Sequence, residues 1–107
     1  MIRIFIGSEP KTAIAAQVLM HSIETRTRAE VEFTEMVGPA WEYPTKGVTV
    51  GTGFSLRRWM IPKAAGWHGY ALYLDADQVV FGDVAELWDL VQRTAHGYAR
   101  PVAWTTY

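Results

Sequence analysis

The order strand, helix, strand within residues 1–34 constrains the fold of this chain more than any other feature. Residues 3–7 (Arg-Ile-Phe-Ile-Gly) form a short apolar run that ends in glycine, which is typical of a buried strand. Ser8, Glu9 and Pro10 then favour the start of a helix, which is predicted to continue to about Thr25. Residues 31–34 alternate between apolar and polar side chains, as a second strand does. This order predicts a βαβ unit with parallel strands, and therefore an α/β fold.

The predicted first helix carries one apolar face. Ala16, Leu19, Met20 and Ile23 recur at the spacing i, i+3, i+4 and i+7. We expect this face to pack against the sheet.

The remaining elements are predicted from the positions of Pro and Gly and from apolar runs. Residues 36–53 hold several Pro and Gly and predict a long loop, which in a compact domain is usually functional or mobile. Residues 54–65 predict a helix that Pro62 should kink or end. Residues 70–74 are apolar throughout and predict a central strand. A short extended piece at 79–81, a helix capped by Asp83 that runs through Leu90, and a strand at 102–104 complete the prediction.

Composition limits the classes of function. The chain has 107 residues, 50% of them hydrophobic and 20% charged, which suits one packed domain over residues 1–107. The formal net charge is −1 and Lys and Arg form no basic block, so nucleic-acid binding is not expected. The absence of Cys excludes disulfides and thiolate metal sites. No apolar run approaches the roughly 20 residues of a membrane span, so we expect no transmembrane segment and a cytoplasmic location.

Asp75 and Asp77 are the strongest candidates for chemistry, because they directly follow the strand predicted over residues 70–74. In open α/β sheets, ligands bind outside the carboxyl ends of the strands. Two carboxylates without a thiolate suit a hard divalent cation, Mg²⁺ or Mn²⁺. A capped surface turn accounts for the same pair equally well, so the pair alone leaves both interpretations open.

The residues around this pair form a longer pattern. Residues 73–88 read Tyr-Leu-Asp-Ala-Asp-Gln-Val-Val-Phe-Gly-Asp-Val-Ala-Glu-Leu-Trp. This segment resembles the metal-site segment of family 8 glycosyltransferases, the glycogenin-like and bacterial galactosyltransferase-like enzymes. Residues 54–62 are similar to the aromatic-x-Arg-x-x-Ile-Pro helix of that family, and residues 4–8 to its first strand. The resemblance implies a Rossmann-like GT-A fold, with a mostly parallel sheet flanked by helices.

The resemblance also implies a reaction and a set of site residues. The reaction is transfer of a sugar from a nucleotide diphosphate sugar, with UDP-sugar favoured, to an acceptor that stays unassigned. Asp75 and Asp77 would hold Mn²⁺ or Mg²⁺ and, with Ala76 between them, form the donor-binding segment. Arg58 would contact the donor near its sugar or diphosphate. Gly7 and Ser8 would line the pocket for the base and ribose.

The chain departs from that family at its C-terminal end. Family members are much longer, and a C-terminal motif supplies a third metal ligand, a His, together with a Lys. This sequence stops at Tyr107, and neither His68 nor His96 matches that motif in position. We therefore expect either part of a longer enzyme or a short protein that keeps the donor-binding half. A short protein would expose sheet edges and apolar surface, which favours a homo-oligomer or a partner.

Other interpretations stay open beside the glycosyltransferase. A non-catalytic nucleotide-sugar or metal-binding module would use the same half-site, and activity of the isolated chain is open. A haloacid-dehalogenase-like phosphatase is disfavoured, because Val79 stands where that class has Thr. Trp59, Trp67 and Trp88 are interpreted as core or sheet-covering residues. Trp41 is a candidate to cover a donor or acceptor.

Overall fold

The computed structural model describes residues 1–38, 41 and 57–94, except for the side chains of residues 57, 58 and 94. These residues form three strands, three α-helices and two 3₁₀ turns. In chain order they are β1 (Ile2–Gly7), a 3₁₀ turn (Pro10–Thr12), α1 (Ala13–Glu24), β2 (Val31–Met36), a 3₁₀ turn (Arg57–Met60), α2 (Ile61–Ala64), β3 (Leu72–Asp75) and α3 (Val84–Thr94). None of the helices formed by these residues has the length and apolar character that spanning a membrane requires.

The sheet is parallel, with the strands in the order β2-β1-β3. The predicted βαβ unit is therefore confirmed, and the chain is an α/β protein with a small parallel sheet flanked by helices. In the part of the sheet that is described, β1 rather than β3 is the middle strand. The strand predicted at 102–104 lies outside the described residues, as does nearly all of the loop predicted at 36–53. Met36 itself is the last residue of β2 and is fully buried.

Alternation along the strands gives the sheet two different faces. Ile4 and Ile6 of β1 are fully buried and lie in one apolar cluster with Leu72 and Leu74 of β3. The predicted apolar face of α1 packs into the same cluster, because Ala16, Leu19 and Ile23 are fully buried and Met20 packs against them. Phe5, Gly7, Tyr73 and Asp75 alternate with these isoleucines and leucines and therefore lie on the opposite face. Trp41 packs edge-to-face against Phe5 there, with ring centroids 6.3 Å apart.

Within the helix predicted over residues 54–65, the described residues form a 3₁₀ turn (Arg57–Met60) followed by the four-residue α2. Pro62 lies in the first turn of α2, where its missing N–H leaves no hydrogen bond unmade. Trp59 and Trp67 are not core residues, since they are 66% and 77% exposed. Gly66 and Trp67 both have positive φ and turn the chain away after α2, which leaves the Trp67 ring outside the core. The interpretation of Trp88 is confirmed, because it packs against the core and edge-to-face with Tyr70.

Arg3 fixes the turn that leads into β3. Its guanidinium donates to three backbone carbonyls: Nε to Tyr70 at 3.0 Å, Nη1 to Ala65 at 2.9 Å, and Nη2 to His68. A Cβ at Gly69 would lie 2.8 Å from Arg3 Nη2, so the close approach requires glycine, whose φ is +75°. One arginine of β1 thus ties three carbonyls of this turn to the sheet.

Replacing Arg3 with Met is expected to lower the free energy of unfolding by about 2–3 kcal/mol. The change removes three charge-assisted hydrogen bonds and leaves part-buried carbonyls without their donor. Urea unfolding of both proteins measures this loss. Arg28→Met, at an exposed position, is the control and should change stability by no more than about 0.5 kcal/mol. Equal effects of the two substitutions would contradict a structural role for Arg3.

The segment after Asp77 is tied to α1. The buried hydroxyl of Ser22 donates to Leu19 O at 2.6 Å and accepts from the backbone N–H of Val80 at 3.0 Å. The Arg26 guanidinium lies 5.8 Å from the centre of the exposed Phe81 ring. No strand forms at the predicted extended piece 79–81, which is held by these contacts instead.

Asp83 caps α3 as predicted, with Oδ1 accepting from the N–H of Ala85 at 2.9 Å. The Thr27 side chain, and then that backbone N–H, lower the pKa of the Asp83 carboxyl. A lowered pKa in the folded state adds stability above the ordinary pKa, and that stability disappears as pH falls through the lowered value.

Asp83→Asn is therefore expected to destabilise the protein at pH 7 and to lose that effect in acid. Asparagine keeps a capping oxygen but cannot ionise, so the difference from the wild type should shrink below about pH 4. Thermal unfolding between pH 3 and pH 7 measures it, with Asp89→Asn on the exposed side of α3 as the control. A difference that stays constant across this range would contradict the assignment.

Candidate functional site

The site begins at the paired ends of β1 and β3. Gly7, the last residue of β1, is in register with Asp75, the last residue of β3. The pairing continues for one more bond, because the N–H of Ala76 donates to Gly7 O at 3.0 Å. Parallel strands end at the same edge of a sheet. The register therefore places Gly7 beside the segment Asp75-Ala76-Asp77.

The chain turns immediately after β3. The N–H of Gln78 donates to Asp75 O at 3.1 Å, which closes a turn over Ala76 and Asp77. Oε1 of the Gln78 side chain accepts a hydrogen bond from the backbone N–H of Asp75 at 2.9 Å. Ala76 points into the core, where it is 4% exposed, while Asp77 is exposed. The buried alanine thus anchors the turn that carries both carboxylates.

A tyrosine holds the first carboxylate. Tyr73 and Asp75 lie on the same face of β3, and the Tyr73 hydroxyl donates to Asp75 Oδ1 at 2.8 Å. The hydroxyl occupies the space beside Gly7, since a Cβ added at Gly7 would overlap it and would meet ring carbon Cζ at 3.0 Å. The absence of a side chain at residue 7 is therefore a requirement of this hydrogen bond.

A cleft of about 190 Å³ opens at this edge of the sheet. The cleft is lined by residues at the end of β1, around the 3₁₀ turn Pro10–Thr12, and at the end of β3 with the turn that follows it. These residues are Gly7, Glu9, Thr12, Asp75, Ala76 and Asp77. Glu9 Oε2 pairs with Lys11 Nζ at 3.3 Å, and the N–H of Glu9 donates to the Thr12 hydroxyl at 2.9 Å. Three carboxylates and one nearby ammonium thus surround the cleft, which makes it acidic.

Four of the six residues predicted for the site line this cleft: Gly7, Asp75, Ala76 and Asp77. Ser8 lies next to Gly7 but is buried, and its hydroxyl is 3.2 Å from that of Thr12. Its neighbours Gly7 and Glu9, rather than Ser8, form the cleft wall. Arg58 belongs to the 3₁₀ turn Arg57–Met60, and its side chain lies outside the described part of the structure.

Among the described residues, Asp75 and Asp77 supply two carboxylate ligands on one turn, which is fewer than a metal site built only from protein side chains contains. Among residues 1–38, 41 and 57–94, no three His, Cys, Asp or Glu side chains come together as a metal site. His21 and His68 are both exposed, and His96 lies outside the described residues. Mg²⁺ and related cations are often held by one or two carboxylates together with water and substrate phosphates. Asp75 and Asp77 are thus carboxylates of the kind that such cations bind, and both line the cleft.

Sequence reasoning missed four residues that shape the site. Tyr73 and Gln78 hold Asp75, and Glu9 and Thr12 line the cleft. Period-2 alternation offers a signal for Tyr73, because it places residues 73 and 75 on one face. The sequence carries no comparable signal for Gln78, whose role depends on the geometry of the turn.

The chain is similar to Protein CDI of Arabidopsis thaliana, with 33% identity over 96 aligned residues that cover 83% of this chain. The alignment covers 36% of the plant protein, so this chain spans about a third of that relative's length. The name of the relative states no activity. Neither a protein-family model nor a solved structure matches the chain.

Proposed function

We propose that this chain is the donor-binding part of a GT-A-type glycosyltransferase that resembles family 8. It would bind a nucleotide diphosphate sugar, with UDP-sugar favoured, and Asp75 and Asp77 would hold the Mn²⁺ or Mg²⁺ on which that binding depends. The sugar then passes to an acceptor. The relative's greater length is compatible with a larger enzyme in which these residues form one part.

The register of Gly7 with Asp75 is the observation that carries this proposal. It brings the Asp75-Ala76-Asp77 turn to the end of β1, where the resemblance expects the nucleotide. The cleft between them is concave and lies at the carboxyl edge of a parallel sheet, where ligands of open α/β proteins bind.

The acidity of the cleft gives a physical reason for a cation. Glu9, Asp75 and Asp77 line it, and a diphosphate would be repelled by these carboxylates. A divalent cation held by Asp75 and Asp77 would offset this repulsion. When bound, it also stabilises the negative charge that grows on the leaving diphosphate as the glycosidic bond breaks. Asp77, which is exposed at the tip of the turn, would be the main protein ligand, and Arg58 would add a contact to the donor.

Isothermal titration of UDP in the presence of Mn²⁺, in Mn²⁺-free buffer, and with Asp77→Ala tests the proposal. We expect UDP to bind the wild type with Mn²⁺, and binding to fall at least tenfold either without the metal or in Asp77→Ala. Asp89→Ala removes an exposed carboxylate from α3 and should bind as the wild type does. Absence of UDP binding to folded wild type with Mn²⁺, or an equal loss in both variants, would contradict the proposal.

Transfer of the sugar separates the enzyme from a non-catalytic binding module. A module that keeps only the donor half-site would bind UDP with Mn²⁺ but would neither hydrolyse nor transfer the sugar of a UDP-sugar. Release of UDP from UDP-glucose or UDP-galactose, with and without sugar acceptors, distinguishes the two.

A further inference from the structure

We infer that Tyr73 is a positioning residue that makes Asp75 a one-oxygen ligand and thereby tunes the site toward small divalent cations. The inference rests on the proposed function, since it assumes that Asp75 binds the cation. It is carried by three observations: the hydrogen bond from Tyr73, the space left by Gly7, and the turn in which Gln78 bonds to the backbone of Asp75.

The hydrogen bond engages one specific oxygen of Asp75. The Tyr73 hydroxyl donates to Oδ1 at 2.8 Å, and no hydrogen bond between described side chains engages Oδ2. An oxygen that already accepts a hydrogen bond has one lone pair fewer to offer and is a poorer second ligand for a metal. Asp75 lines the cleft, so Oδ2 would be the oxygen left to ligate a cation there.

The backbone of Asp75 is also held, so the carboxylate cannot easily reorient. Its N–H donates to the Gln78 side chain at 2.9 Å, and its carbonyl accepts from the N–H of Gln78 at 3.1 Å. Gly7 lies opposite in register and provides the space for the Tyr73 ring. Backbone, hydroxyl and neighbouring strand therefore fix one orientation of the Asp75 carboxylate.

Ligation by one oxygen rather than two has a consequence for metal choice. Ca²⁺ takes six to eight oxygens and readily accepts a bidentate carboxylate, whereas Mg²⁺ demands compact octahedral geometry. A carboxylate restricted to one oxygen lowers the number of ligands available to Ca²⁺ and leaves compact six-coordination possible. Loss of the Tyr73 hydroxyl would release Oδ1 and favour Ca²⁺ relative to Mn²⁺.

Tyr73→Phe tests this inference, because it removes the hydroxyl and keeps the ring beside Gly7. UDP affinity is measured with Mn²⁺ and with Ca²⁺ in the wild type, Tyr73→Phe and Tyr70→Phe. Tyr70→Phe removes a tyrosine hydroxyl from a ring that packs on Trp88 and serves as the matched control. Circular dichroism shows whether each variant is folded.

We expect Tyr73→Phe to weaken Mn²⁺-dependent UDP binding about tenfold and to change Ca²⁺-dependent binding much less. The ratio of the two affinities should therefore shift toward Ca²⁺ in Tyr73→Phe and stay unchanged in Tyr70→Phe. A purely structural role for Tyr73 would lower both affinities by the same factor and leave the ratio unchanged, which would overturn the inference. Unchanged affinities in Tyr73→Phe would overturn it equally.

Failure of the proposed function gives a different result from failure of this inference. Absence of metal-dependent UDP binding to the wild type would overturn both. Normal Mn²⁺-dependent binding in the wild type, with an unaltered Mn²⁺ to Ca²⁺ ratio in Tyr73→Phe, would overturn the positioning role alone.

Discussion

Gly7→Ala is expected to lower the free energy of unfolding by about 1–3 kcal/mol and to weaken Mn²⁺-dependent UDP binding at least tenfold. The added Cβ would overlap the Tyr73 hydroxyl and contact its ring, at 3.0 Å from Cζ and 3.1 Å from Cε2. Tyr73 must then move, and its hydrogen bond to Asp75 is lost. Gly7 lies in the middle strand and is in register with residues of both β2 and β3, so the backbone there cannot easily shift to accommodate the added Cβ.

Gly82→Ala is the matched control for this substitution. A Cβ at Gly82 would have no neighbour within 4 Å among the described residues, and the backbone there is not left-handed. We expect its stability and UDP affinity to match those of the wild type within about 0.5 kcal/mol. Thermal unfolding and UDP titration measure both quantities. Indistinguishable behaviour of Gly7→Ala and Gly82→Ala would show that the cleft tolerates a side chain at residue 7.

Leu19→Ala is expected to lower the free energy of unfolding by about 3–5 kcal/mol. Leu19 is fully buried in α1 and belongs to the apolar cluster that joins this helix to β1 and β3. Its truncation removes apolar burial and leaves a cavity directly beneath the sheet. For a domain of this size, the melting temperature should fall by roughly 15–25 °C.

Val18→Ala provides the comparison for the core substitution. Val18 is the preceding residue in the same helix but is 50% exposed, so its truncation should cost less than about 1 kcal/mol. Circular dichroism melts of the two variants give the difference directly. A small effect of Leu19→Ala, comparable to that of Val18→Ala, would mean that α1 does not form the core as described.

The part of the fold that could be predicted from the sequence is the part governed by local periodicity. The apolar run of β1, the alternation in β2 and the apolar face of α1 each reflect which residues of an element are buried. The position of Asp75 and Asp77 at the edge of the sheet follows from the same reasoning, because a buried strand ends at Leu74 or Asp75. Parallel pairing with β1 then places Gly7 beside them.

The contacts that refine the site could not be predicted, because they join residues far apart in sequence or depend on turn geometry. Arg3 reaches carbonyls at positions 65, 68 and 70, and Ser22 reaches Val80. No periodic signal marks either contact. The exposure of Trp59 and Trp67 could not be predicted from residue type, because large aromatic residues are more often buried than exposed. For Trp67, the left-handed turn that it forms with Gly66 places the ring outside the core.

We propose that a divalent cation and a nucleotide diphosphate bind together at the ends of β1 and β3. Paramagnetic line broadening locates the cation directly: ¹H–¹⁵N spectra are recorded with UDP and Mg²⁺, and substoichiometric Mn²⁺ is then added. We expect strong broadening of the amide signals of Gly7, Ala76, Asp77 and Gln78, little broadening of residues 89–93 of α3, and loss of the pattern in Asp77→Ala. Broadening centred on His21 or His68, or a pattern that neither UDP nor Asp77→Ala changes, would contradict it.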